Sequence, residues 1–204
     1  MSLADYTSLK AAIAADWLHR TDLTTAIGDY ITLFETEFNS DVRHREMEAQ
    51  TSLTSTSGYL LHPTNWLGWK QITAADGGYQ YNLHPASDEY AVEAAYGEGS
   101  TSTPTHYKVR GSRTYLYPAS SNVSYAVKYW EGVGLTSGTN WLLTRYPQAY
   151  LYGALLKAVK AIGDDPRMPM WKGEYEQTLS RIKADSRKQE WSNQVLQMKA
   201  DRVV

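Results

Sequence analysis

Apolar residues recur at spacings of three and four near both ends of this chain, and alternate in twos across its middle. Near the start, Leu9, Ile13, Trp17 and Leu18 line one side of a short helix predicted over 5–18, which His19, Arg20 and Thr21 break. Leu23, Ile27, Tyr30, Ile31, Phe34 and Phe38 then mark a strongly amphipathic helix from Leu23 to about Asn39. Asp22 is its expected N-cap, since a short acid there accepts a bond from an orphan backbone N–H. Gly28 weakens this helix locally and suggests a neighbouring helix in close approach.

The best-marked stretch is 139–166, TNWLLTRYPQAYLYGALLKAVKAIGDDP. Asn140 caps a helix start, and Pro147 suits a first turn because its missing N–H would be an orphan there. Tyr150, Leu151, Ala154, Leu155, Ala158, Val159 and Ile162 form one apolar face of a long helix that must be buried against others. Tyr152 and Leu156 fall to the side of that face, available to a neighbour. Gly163 supplies a permissive C-terminal residue, and Asp164, Asp165 and Pro166 stop this helix and cap the next. From 167 to about 198, Met170, Trp171, Tyr175, Leu179 and Ile182 repeat at three and four, and beyond Lys183 the repeat thins to Trp191, Val195, Leu196 and Met198. This sparse tail is expected to become ordered by docking on a neighbour; a frayed or disordered end is the other reading.

Residues 51–138 are rich in Ser, Thr, Gly and Tyr. Strands are predicted over 47–53, 66–73, 79–83, 106–110, 114–117 and 122–130. In the last, Val123, Tyr125, Val127 and Tyr129 alternate with Ser124, Ala126 and Lys128, while Tyr115 and Tyr117 share a face of the strand before it. Turns are expected at Asp76-Gly77-Gly78 and Gly111-Ser112-Arg113, a short helix over Ser87–Ala95, and a polar loop over Gly97–Thr105. The helical parts are each too short to bury their apolar faces alone. The expected fold is therefore α+β, mainly a helical bundle formed by N- and C-terminal helices with an inserted antiparallel β domain. The expected boundaries are 1–46, 47–138 and 139–204.

Composition removes several function classes. Net charge is -2 and charged residues are 21%, which gives no global bias toward nucleic acid or anionic membrane. Absence of cysteine excludes disulfides, zinc–thiolate sites and thiol nucleophiles. No signal peptide or membrane span is expected, for want of a suitable apolar run. There are 16 Tyr and 7 Trp against 2 Phe, a skew that suits surfaces apolar on one side and hydrated on the other.

Candidate chemistry is thin. His19, His44, His62, His84 and His106 offer no pair at i, i+4, and no phosphate loop or nucleophile elbow is present. The mixed run Arg43-His44-Arg45, between Asp41 and Glu46, reads as a solvated helix end or the start of a strand. Arg20, Arg113 and Arg145 each suit either an interface carboxylate or an ordinary intramolecular pair. No catalytic, cofactor-binding or metal-ligating residue is expected, and no cofactor.

Three segments resemble a known family: DWLHRTDLTTAIGDYITLFETEFNSDVRHREME, HPTNWLGWKQI and TNWLLTRYPQAYLYGALLKAVKAIGDDPRMPMW. The marks are Trp17-Leu18 with Arg20 and Asp22, Arg43 before Glu46-Met47, Trp141-Leu142 with Pro147, Tyr150, Tyr152 through Leu156, Asp164-Asp165 and Trp171. As a linked set they look like the head–tail adaptors of tailed phages. Asn65-Trp66 departs from the acidic-then-aromatic pair expected there, and 76–120 carries no matching motif.

The resemblance implies a virion neck protein, assembled in the host cytoplasm, that forms a homo-oligomeric ring of twelve on the portal protein through its C-terminal segment. Stopper or tail proteins would attach below, and double-stranded DNA would pass through the lumen without sequence-specific binding. Interface candidates are Tyr152, Leu156, Arg145, Trp191, Val195 and Leu196, and lumen candidates are Glu35, Glu37 and Asp41. Other readings are a stopper or tail-completion protein, a carbohydrate-binding module using Tyr and Trp faces, and a small hydrolase.

Overall fold

The computed structural model describes residues 3–76, 79–87, 103–163 and 165–192. The chain divides into two compact units, Met1–Glu46 with Val133–Val204, and Met47–Gly132.

The first unit is helical: α1 (Tyr6–Ala12), α2 (Ala26–Asp41), α3 (Trp141–Arg145), α4 (Pro147–Ile162) and α5 (Met168–Ser192). Asp5 opens α1 through a reciprocal capping box with Ser8. The predicted 5–18 helix does not keep one winding. Ile13–Trp17 widens to a π-helical segment, closed by Leu18 N–H donating to Ile13 O at 2.9 Å. Asp22 is not the N-cap of α2. It pairs bidentately with Arg20, at 2.9 and 2.8 Å, while Thr21–Leu23 forms a 3-10 turn and α2 begins at Ala26 without a side-chain cap. A charge-assisted fork two residues away outcompetes a neutral backbone N–H.

Asn140 caps α3, accepting from Leu143 N–H at 2.9 Å. The helical stretch then breaks at Tyr146, whose ψ of 60 is non-helical, because the residue before a proline is pushed out of the α region; Pro147 restarts the winding as α4. Gly163 terminates α4 with φ of 111. Asp165 accepts from Arg167 N–H and pairs with its guanidinium, while Asp164 lies outside the described residues.

The core of this unit contains Leu9 and Ile13, then Ile27, Ile31, Phe34 and Phe38 from α2, and Tyr150, Leu151, Ala154, Leu155, Ala158 and Val159 from α4. On α5 the inward stripe is Trp171, Tyr175, Thr178, Ile182 and Ser186. Met170, expected on that stripe, is 54% exposed, and Thr178 is buried where Leu179 was expected. A step of four from Trp171 to Tyr175 and three to Thr178 selects the face, with the two aromatics setting its direction. The hydroxyl of Thr178 is satisfied by Glu174 O at 2.8 Å.

Among its described residues the second unit holds two four-stranded sheets. Its strands are β1 (Glu48–Thr54), β2 (Tyr59–Leu61), β3 (Trp66–Asp76), β4 (Tyr79–Asn82), β5 (His84–Pro85), β6 (His106–Arg110), β7 (Arg113–Tyr117) and β8 (Ser124–Glu131). Sheet orders are β1-β8-β3-β4 and β2-β7-β6-β5. All pairs are antiparallel except β5 with β6. The expected alternation in β8 holds, with Tyr125, Val127 and Tyr129 buried and Ser124, Ala126 and Lys128 exposed. These three join Leu60, Ile72, Ala74, Leu83 and Leu116 in the core. Gly111 and Ser112 connect the paired Arg110 and Arg113, and Gly111, at φ of 56, occupies the turn position that needs the left-handed region. The strands β2 and β5 were not expected, because three and two residues show no readable period. The helix predicted over Ser87–Ala95 and the loop over Gly97–Thr105 lie mostly outside the described residues, as does the Gly77-Gly78 turn. Among the described residues no helix is long and apolar enough to cross a membrane.

Candidate interface surfaces

The segment returning from β8 is held to α2 by polar side chains. Asn39 accepts from Val133 N–H at 2.8 Å and donates to Val133 O at 2.9 Å. One turn earlier, Glu35 accepts from Leu135 N–H and from the Tyr150 hydroxyl, the latter at 2.7 Å. Asn140 donates to the Tyr150 hydroxyl at 2.6 Å and reaches Gly134 O at 3.4 Å. Thus two residues four apart on α2, one tyrosine of α4 and the α3 cap together satisfy backbone that would otherwise be unpaired. Burial pushes the Glu35 carboxyl up to about 7, against the opposing pull of its two donors. The same burial, with the Glu35 charge beside it, raises the Tyr150 hydroxyl. This network was missed in the sequence; its only signal is that Glu35 and Asn39 adjoin Phe34 and Phe38 on the apolar side of α2.

The run 43–45, expected as a solvated helix end or the start of a strand, follows α2 and leads into β1, and it forms a second junction. His44 is wholly buried and stacks on Trp141, with ring centroids 4.8 Å apart and planes at 15°. Its Nδ1 accepts from Glu46 N–H at 3.1 Å, and burial pushes its pKa below the ordinary imidazole value. Arg43 donates to Val42 O at 2.8 Å and to Asn39 O, carbonyls at the α2 C-terminus where a cation is favoured. Arg45 donates to Gln189 O at 3.0 Å. Tyr146 donates to Asp185 at 2.8 Å; burial, and then that carboxylate, push the hydroxyl up to about 12. The run is a clamp inside the helical unit because its hydrogen bonds are to backbone and its ring to an indole.

The predicted interface residues separate. Arg145 pairs with Glu46 at 2.5 Å, both about half exposed. Tyr152 is half-buried, its ring edge-to-face with Trp17 at 5.8 Å, and Leu156 is likewise half-buried. The Trp191 side chain, Val195 and Leu196 lie outside the described residues. Of the lumen candidates, Glu37 and Asp41 are exposed on α2, Glu37 bonded to the Lys157 ammonium. Glu35 departs from expectation. Only 8% exposed, its carboxylate points into the helical unit because the 133–135 backbone and Tyr150 hold it there.

In the β unit, His62, Trp66 and Trp69 use their faces on one another, with His62–Trp66 centroids 3.8 Å apart and Trp66–Trp69 5.3 Å. Thr114 Oγ1 accepts from Trp69 Nε1 at 2.7 Å and lies 2.9 Å from His62 Nε2. Arg113 lies over the Tyr59 ring at 4.4 Å and Arg110 over Tyr115 at 5.6 Å. Arg20 and Arg145 thus make intramolecular pairs, and Arg113 stacks on an aromatic face. Among the described residues no group of three His, Asp or Glu is placed to hold a metal ion.

Comparison with curated proteins returned no match. The sequence profile of the SU10 adaptor protein family matches residues 4–198, which span both units. The chain therefore belongs to the SU10 adaptor protein family, and is a structural head–tail adaptor of the phage virion neck.

Proposed function

We propose that this adaptor forms a ring of twelve copies on the portal, continuing the DNA channel downward and offering its far side to stopper or tail proteins. The observation that carries the reading is the family match along nearly the whole chain. The C-terminal segment from Trp191 onward docks on the portal, with Trp191, Val195 and Leu196 as its apolar contacts. Arg145, Tyr152 and Leu156 lie toward the neighbouring copy. Double-stranded DNA passes without sequence-specific contact, along a lumen to which α2 contributes Glu37 and Asp41. The exposed acids of α2 are Asp29, Glu37 and Asp41, and the helix has no Lys or Arg, which suits a passage that repels the phosphate backbone. Assembly takes place in the host cytoplasm before the tail attaches.

The mass of the complex formed with the phage's own portal tests this. Twelve copies per portal ring are expected. A stable dimer with no affinity for the portal overturns the reading.

A further inference from the structure

Among the described residues no strand lies beyond either end of the first sheet. At one end β1 runs seven residues in unbroken register with β8. It carries no Pro, Gly or Lys, and its one charge, Glu48, is paired with Lys70 at 2.5 Å. Edge strands that must stay single are usually blunted by such residues, by bulges or by shortness.

Hydrogen bonding fixes which groups are left over. Ser55 N–H donates to Val123 O at 2.8 Å on the β1 side of β8, and Gly132 N–H donates to Asn65 O at 2.7 Å on the β3 side. In an antiparallel ladder alternate residues bond to alternate sides. The backbone groups of Glu48, Gln50, Ser52 and Thr54 therefore face away from β8, and no described strand pairs with them. At the other end, Leu83 N–H donates to Ile72 O at 2.9 Å, so the backbone groups of Gln80 and Asn82 in β4 face away from β3. Beside them Tyr79 is 81% exposed. The four residues of β4 are uncharged, so no repulsion guards this edge.

Direction also matches. Every adjacent pair in this sheet is antiparallel, so β1 and β4 run opposite ways, and β1 of a second copy laid beside β4 continues the alternation.

We propose that β4 of one copy pairs with β1 of the next, extending the sheet head to tail from subunit to subunit. This rests on the ring reading above. It supplies the two unlike, complementary patches that a cyclic assembly requires, whereas β1 against β1 would close as a two-fold dimer. Tyr79 then gains the cover it lacks in the single chain.

The chain has no cysteine, so introduced thiols are unique. Ser52→Cys and Gln80→Cys, both at exposed positions, are assembled on the portal and treated with a short bis-maleimide. Equal mixing of the two single variants should give cross-linked pairs, each alone none, and the double variant a ladder of multimers. A ring of normal mass that yields no cross-link, or Ser52→Cys linked to itself, overturns the edge pairing and leaves the ring standing. No ring on the portal overturns the ring reading and the pairing with it.

Discussion

Gly153 of α4 lies directly beneath the ring of Phe34 of α2: a Cβ built on Gly153 would come 2.2 Å from Phe34 Cδ2 and 2.6 Å from Cε2. Phe34 is fully buried and packed on Tyr150 and Tyr175, at 5.1 and 6.1 Å between centroids, so it has nowhere to retreat. The absence of a side chain at 153 thus sets how closely α2 and α4 approach. Gly153→Ala is expected to destabilise the protein by about 1–3 kcal/mol through overpacking. Gly173, in the interior of α5, meets nothing within 4 Å, and Gly173→Ala should stabilise by about 0.5–1 kcal/mol. Denaturant unfolding of both variants checks the pair; equal effects would refute the close-approach argument.

Stability should depend on pH through two buried groups acting in opposite senses. The folded-state pKa of Glu35 is raised from 4.5 to about 7, so the folded state holds the extra proton between those values. Its contribution is present below about 4.5 and is lost as pH rises through 7. The cost at pH 8 is on the order of 2–3 kcal/mol. Glu35→Gln, which keeps an acceptor for the Leu135 N–H and the Tyr150 hydroxyl, should remove that fall. His44 works the other way: its folded pKa lies below 6.5, so stability is full above 6.5 and declines as pH drops. Unfolding free energies from pH 5 to 9 should show a flatter alkaline limb for Glu35→Gln. Parallel curves for parent and variant would sink the assignment.

Tyr152 serves the fold as well as any neighbour. Its edge-to-face contact with Trp17, which itself meets Trp171 at 6.4 Å, ties α4 to the π-helical segment and to α5. Tyr152→Ala should lower stability by about 1–3 kcal/mol, whereas Tyr152→Phe, which keeps the ring, should stay within about 1 kcal/mol. Thermal unfolding of both separates the roles. If Tyr152→Ala unfolds like the parent yet fails to form rings, the side chain belongs to the subunit contact alone.

Much of the helical unit was legible because its signals are local. The periods in α2, α4 and α5, the Asn140 cap, Pro147 at a helix start and the Gly163 terminus depend on residues a turn or less apart. The alternation in β8 is legible for the same reason, since a half-buried strand writes its two faces into successive residues. What only the tertiary structure decided involves partners far along the chain. Glu35 looked like a surface acid until Leu135 and Tyr150 enclosed it, and His44 looked solvated until Trp141 stacked on it. Strands β2 and β5 exist because β7 and β6 lie beside them. Hydrophobic spacing names the face of an element that turns inward; which polar groups accompany it depends on hydrogen-bond partners that arrive only when distant segments pack, and no local pattern encodes them.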